Sequence, residues 1–374
     1  MTADSQKPSI GKVSRLVVKL GTGVLSPTPG TIEADRLRIL GESVRNLRKE
    51  GVEVIIVSSG AVGLGMAKLG LSARPSDLST LRACASIGQS LLMDIWSEAF
   101  EPLGLIIAQM LLTREDFRSR KSSQNVELTL QRLLEHGAVP IINENDSVSD
   151  EEIRFGDNDI LSALLASLCK AEMLAILSTA PGLMTSPEDG DIIPFVSEIT
   201  PGIEAMAEGT KSSTAVGGMV TKIEAAKIAT MSGCAVFVGS GTEPDRLPFI
   251  LKGETTGTFF APAGLGLNQR KKWLAFFPEP TGALVLDEGA CHAILQEGKS
   301  LLAKGLVSFR GEISRSDVVT LENPDGEIIA RGICRFSSDE LSQVKGKSND
   351  EIHLIFPERN RAEVIHRDHL APLR

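Results

Sequence analysis

The sequence predicts an α/β protein: a three-layer αβα sandwich around a mostly parallel sheet, followed by a small, mostly β second domain. Three observations predict it. Short apolar runs alternate with helical patterns from about residue 15 to residue 240. One of those runs, 52–58, is almost continuously apolar, as a strand buried on both faces must be. Near Pro262 the pattern changes to shorter segments separated by Gly and Pro turns. Repeated strand–helix alternation marks βαβ units, and hence a parallel sheet covered by helices.

Arg15–Leu20 is a β-rich run that ends at Gly21. Thr31–Lys49 is predicted helical, because Leu37, Leu40, Val44 and Leu47 recur at spacings of three and four. Arg45, Arg48 and Lys49 occupy its last turn, where cations meet the negative end of the helix, and Gly51 supplies the stop. Val52–Ser58 reads as the second strand, and Leu105–Met110, Val139–Asn143, Met173–Leu177 and Ala235–Val238 as further ones. Helices are predicted around Ser86–Pro102, Ser122–His136, Asp159–Cys169 and Thr221–Met231. In such sheets ligands bind beyond the carboxyl ends of the strands. Residues 263–281 are rich in Gly and Pro, carry Arg270-Lys271-Lys272, and read as a linker between domains at 15–262 and 282–374. In the second domain Ala283–Leu286, Val307–Phe309, Asp317–Glu322 and Ile328–Ile333 read as short segments of strand. Gly311, Pro324-Asp325-Gly326 and Gly332 supply the turns.

Composition narrows the function. A chain of 374 residues suggests two domains. The net charge is −9, and residues 265–374 hold 15 basic against 16 acidic side chains, so RNA is not a favoured partner. No run approaches the roughly 20 apolar residues of a membrane span. Met1–Lys12 lacks the apolar core of a signal peptide, and a cytoplasmic protein with no membrane partner is expected. The five cysteines are far apart, which argues against a zinc site or a disulfide framework and for small buried hydrophobes. His136 is the only histidine before His292, so metal-hydrolase and Ser–His or Cys–His chemistry lack their groups, and no metal ligands are assigned.

Four constellations remain. Lys19 ends the first strand before Gly21-Thr22-Gly23; glycines let backbone N–H groups approach phosphate, and a lysine adds a point charge. An ordinary strand-end lysine beside a turn is the plainer alternative. Ser58-Ser59-Gly60-Ala61 follows the second strand, either to expose donors to an anion or to pack a helix closely on a strand. Asn143-Glu144-Asn145-Asp146 ends one strand and Gly156-Asp157-Asn158-Asp159 opens a helix. These amides and carboxylates suit an amino acid's charged ends, although Asx turns and helix caps use the same residue types. Gly217-Gly218-Met219-Val220-Thr221-Lys222 opens another helix, as an anion nest or as a simple loop.

Taken together and in this order, the motifs resemble the amino-acid kinase family. Val18-Lys19-Leu20-Gly21-Thr22, 58–61, Gln109-Met110-Leu111-Leu112-Thr113, 142–146, 156–159 and 217–219 all follow its pattern. The tail resembles a PUA domain through Asp287-Glu288-Gly289-Ala290 and the stretch around Leu302, Lys304 and Gly305. The resemblance implies ATP with Mg2+ as phosphoryl donor and the γ-carboxylate of L-glutamate as acceptor. It also implies proline as feedback inhibitor, glutamyl phosphate reductase as the downstream enzyme, and a homo-oligomer, dimer or tetramer. Aspartate, N-acetylglutamate, carbamate and nucleoside monophosphate kinases share the architecture and stay open as alternatives. So does a regulatory RNA-binding role for the tail. Residue by residue, Lys19 and Lys222 would bind phosphate and stabilise the group in flight, and Asp159 would orient them. Ser59, Asp146 and Asn158 would hold glutamate, with Asp157 nearby. Gly21, Ser178, Thr179 and the loop Val216-Gly217-Gly218-Met219-Val220-Thr221-Lys222 would contact the nucleotide. Two positions depart from the pattern: Ser178-Thr179 stands where Thr-Asp is usual, and Val216 where a small polar residue is usual.

Overall fold

A computed structural model describes residues 11–25, 30–148, 157–186, 190–208, 218–263, 271, 274, 279–359 and 362–373. The chain divides into two compact units, Met1–Asp116 with Lys121–Leu265 and Phe117–Arg120 with Gly266–Arg374.

The first unit is built on a sheet of eight strands among the described residues: β1 (Arg15–Leu20), β2 (Glu53–Val57), β3 (Ile106–Leu112), β4 (Ala138–Glu144), β5 (Met173–Ser178), β6 (Phe195–Val196), β7 (Ala235–Ser240) and β8 (Thr258–Phe260). Their order is β3-β4-β2-β1-β5-β7-β8-β6. The run from β3 to β7 is parallel throughout, and β8 turns antiparallel against β7. β1 is the hub, with Lys19 level with Val57 on one side and Ile176 on the other. The connection out of β1 runs to β2 on one side, while the chain enters β5, on its other side, from β4, so a crevice opens beyond the carboxyl end of β1. The predicted parallel sheet is therefore present. β6 and β8 escape pattern reading because they are two and three residues long.

Six helices matter to the site: α1 (Thr22–Leu25), α2 (Ala34–Lys49), α3 (Ala61–Lys68), α4 (Leu78–Phe100), α5 (Asp157–Leu168) and α6 (Met219–Met231). In α2, Leu37, Leu40, Val44 and Leu47 face the core as their spacing requires. α4 begins well before the predicted Ser86, because Asp77 accepts the Thr80 N–H at 2.8 Å and nucleates the helix there. α3 and α4 touch through bare backbone. A Cβ on Gly88 would lie 1.7 Å from the Ala61 carbonyl oxygen, and one on Gly65 1.9 Å from that of Cys84. Gly65 therefore serves helix packing, and Gly88 brings α4 hard against the turn that follows β2.

Among the described residues the second unit carries a five-stranded sheet and a two-stranded one. Its sheet strands include Gly282–Leu286, Leu306–Gly311, Val318–Glu322, Ile328–Ile333 and Leu370–Pro372, packed over Leu284, Val319, Leu321 and Phe336. Four of the five cysteines are buried and Cys291 is partly so; burial pushes the Cys169 thiol up to about 12. Among the described residues no helix is long and apolar enough to cross a membrane.

Candidate active site

Asp159 is the pivot. Two consecutive residues in the first turn of α5 project in different directions: Asn158 towards the ends of β2 and β4, and Asp159 towards β1 and α6. The Asp159 carboxylate is fully buried. Lys19 Nζ, from the end of β1, pairs with its Oδ1 at 2.6 Å. Lys222 Nζ, from the first turn of α6, pairs with Oδ2 at 3.1 Å. Thr221 Oγ1 donates to the same oxygen at 2.9 Å. Both lysines are themselves buried, at 4% and 3% exposure.

Burial by itself would raise the Asp159 carboxyl; the two ammonium groups and the Thr221 hydroxyl overcome it and hold the group below its ordinary range. Burial also pulls the Lys222 ammonium down, with Asp159 opposing and Lys19 assisting. The three side chains sum to one net positive charge in a place shielded from water. Such a cluster favours an anion.

Around this triad the turn after β1 is tightly fitted. The Gly21 N–H donates to the Leu177 carbonyl at 2.9 Å. A Cβ on Gly23 would lie 2.9 Å from Thr179 Cγ2, so the end of β5 faces the turn directly. Ser178 Oγ accepts the Ala180 N–H at 3.1 Å. Gly218 precedes α6 in extended backbone, and Met219 is buried while Val220 is exposed. Val216 and Gly217 lie outside the described residues, and of Asp157 only its place at the start of α5 is described.

On the other side of Asp159 stands an amide cluster. Asn158 Nδ2 donates to the Ser58 carbonyl at 3.1 Å, to Ser59 Oγ at 3.0 Å and to Asn143 Oδ1 at 3.0 Å. Asn143 Nδ2 in turn donates to Gln89 Oε1 at 2.9 Å. Trp96 Nε1 donates to Ser58 Oγ at 3.1 Å and fixes the turn from behind. Gly60 closes that turn with a φ of 109°, a left-handed conformation suited to glycine. Asp146 lines a neighbouring cleft of about 490 Å3 with Glu144, Asn145, Ala61 and Gln89.

The structure thus gathers Lys19, Asp159, Thr221 and Lys222 into one group and Ser59, Asn158 and Asn143 into another. Asp146 stands in the adjoining cleft. Sequence reading missed Gln89 and Trp96 as parts of this region. Neither carries a local signal beyond being polar or aromatic in a helix.

Residues 14–240 match the amino acid kinase family and residues 282–356 match the PUA domain. The chain belongs to the amino acid kinase family. It is 42% identical to the glutamate 5-kinase of Syntrophotalea carbinolica, across 98% of this chain and 99% of that one. It is 40% identical to the glutamate 5-kinase of Moorella thermoacetica across the whole of both chains. Among solved structures, carbamate kinase from Giardia lamblia bound to AMP-PNP superposes with a TM-score of 0.50 at 16% identity. That likeness spans 67% of this chain and 99% of the other, and bears on the fold.

Proposed function

We propose that this chain is a glutamate 5-kinase, transferring the γ-phosphoryl group of ATP to the γ-carboxylate of L-glutamate at the entry to proline biosynthesis. The observation that carries the reading is the buried Lys19–Asp159–Lys222 group at the end of β1. Its setting is a chain similar over its full length to glutamate 5-kinases.

The acceptor carboxylate, with a reference pKa of about 4.3, is already ionised at neutral pH, so no base is required. The obstacle is like charge. Two unit charges about 4 Å apart repel by about 1 kcal/mol in water and about 4 kcal/mol at an effective dielectric near 20. Lys19 and Lys222 offset that repulsion and stabilise charge on the phosphoryl group in flight. Asp159 holds both ammonium groups in place before substrate arrives, so little reorganisation is left for the reaction. Ser59, Asn158 and Asp146 hold glutamate, with Asp157 beside them; Gly21, Ser178, Thr179 and residues 216–222 contact the nucleotide.

Mg2+ fits this site as a companion of the nucleotide. Asp159 already meets Lys19, Lys222 and Thr221. Among the described residues no three His, Cys, Asp or Glu side chains converge on a metal position. The phosphates would be its ligands, and when bound it neutralises their charge.

The product is an acyl phosphate, labile in water, which fits hand-over to a glutamyl phosphate reductase. Proline feedback, homo-oligomerisation, a cytoplasmic setting and the division into a kinase domain at 15–262, a linker at 263–281 and a PUA-like domain at 282–374 complete the reading. The test is an ATP-dependent hydroxamate assay with glutamate, aspartate, N-acetylglutamate and carbamate, each with and without proline. Hydroxamate from glutamate, suppressed by proline, is expected. Turnover of another acceptor in its place would sink the glutamate assignment.

A further inference from the structure

Gly88, Leu92 and Trp96 recur every four residues along α4 and are all buried, so they form one stripe on its inward face. The stripe meets the turn after β2 twice. Gly88 docks bare backbone on its far end, since a Cβ there would lie 1.7 Å from the Ala61 carbonyl oxygen. Trp96 reaches its near end. The indole is fully buried and meets Phe100 edge-on, with ring centroids 5.1 Å apart.

A buried indole N–H needs an acceptor, and for packing alone any core carbonyl would serve. Trp96 Nε1 donates instead to Ser58 Oγ at 3.1 Å. An indole N–H can only donate, so Ser58 Oγ accepts and keeps its single proton for another partner. That partner is the Ser59 carbonyl, at 3.3 Å. The backbone of Ser58 is held as well: its N–H donates to the Ile142 carbonyl at 2.8 Å, and its carbonyl accepts Asn158 Nδ2 at 3.1 Å. Ser58 is fully buried, which shields these bonds from water. Ser59 is half-buried, and its hydroxyl meets Asn158 Nδ2 at 3.0 Å. One serine thus faces the core and the next faces the candidate site, with the indole setting the first.

We propose that Trp96 is a positioning residue for the acceptor site: its N–H fixes the Ser58 hydroxyl, which holds the Ser59 carbonyl and so places the Ser59 side chain for the amino-acid substrate. The assignment rests on the amino-acid kinase reading above and on the role given there to Ser59. Trp96 acts through Ser58 and touches no substrate itself.

The test is W96F in the full-length enzyme, which keeps an aromatic ring and removes the donor. Loss of one neutral hydrogen bond should raise the KM for glutamate by about threefold or more. The KM for ATP should stay within twofold. A residue that only packs the core would lower the thermal midpoint and leave the glutamate KM below that midpoint unchanged. S58A cuts the same connection from its other end and should raise the glutamate KM likewise. In W96F/S58A the KM should exceed that of the worse single variant by less than twofold, because the two residues act as a unit. A folded W96F with a smaller rise, a parallel rise in the KM for ATP, or independent effects in the double variant overturns the proposal. Should W96F not fold, S58A decides by the same threefold criterion. Hydroxamate formation by the wild-type chain with an unmoved W96F overturns this inference alone; its absence in the wild-type chain overturns the kinase reading as well.

Discussion

Asp159 in the first unit and Glu340 in the second each hold two cationic side chains, with opposite consequences. Glu340 takes Arg359 Nη2 at 2.6 Å and Arg315 through both guanidinium nitrogens that reach it, and it also accepts the Ser337 N–H at 2.9 Å in a helix capping box. Arg315 is 61% exposed, and the Arg359 guanidinium lies 4.1 Å from the Phe336 ring centroid and 5.1 Å from that of Phe356. Water and aromatic faces absorb the extra positive charge there. Lys19 and Lys222 are both shielded from water, at 4% and 3% exposure. With the same ratio of charges, the group at Glu340 braces a fold, and on the proposed reading the group at Asp159 awaits an anion. What separates a site from a brace here is where the second cation can discharge its field.

The largest effects should come from unbalancing the Asp159 group. Lys19→Ala and Lys222→Ala each leave a neutral buried pair. Each should lower kcat about a thousandfold in the hydroxamate assay while the thermal midpoint stays within a few degrees. Full activity in either variant would break the comparison. Asp159→Ala strands two buried cations and should cost about 3–5 kcal/mol in urea unfolding as well as activity.

Glu340→Gln should cost less, about 1–2 kcal/mol, because Arg315 is exposed to solvent screening. Its kcat should stay within twofold of wild type; a collapse of activity would show that the brace also serves catalysis. Arg315 first, with Ser337 and Arg359, holds the Glu340 carboxyl at about 2, below the ordinary 4.5. A depressed acid stabilises the fold only while ionised. The contribution is therefore complete above 4.5 and fades as pH falls towards about 2. Acid unfolding followed in wild type and Glu340→Gln should converge in that window.

The smallest effect concerns Lys222, whose ammonium burial pulls below the ordinary 10.5. The descending alkaline limb of kcat/KM for ATP should fall below that value, and Lys222→Arg should remove the limb or move it upward. A limb at an ordinary lysine position would mean that the buried charge is better compensated than its surroundings imply.

The sheet was legible because β1, β2, β4 and β5 are mostly apolar, and burial on both faces imposes that pattern. The lysines were legible as chemistry only through their glycine neighbours. Nothing local revealed that both would meet one carboxylate, since Lys19 and Lys222 come from different elements and are joined only by the fold. Asp159 resembles any helix-opening aspartate until β1 and α6 close over it. Gln89 was illegible for a related reason: a polar residue inside a helix reads as surface, and only the bare contact at Gly88 carries this one inward.

The distance in sequence between the members of the Asp159 group has a consequence for synthesis. On the ribosome Lys19 emerges first, Asp159 much later, and Lys222 last. Until α6 has left the exit tunnel, a nascent chain can pair Asp159 with a single lysine and carries no surplus charge for phosphate. On the role proposed for this group, competence to handle ATP arrives in one step, late in translation, when the last strands of the sheet are also being added.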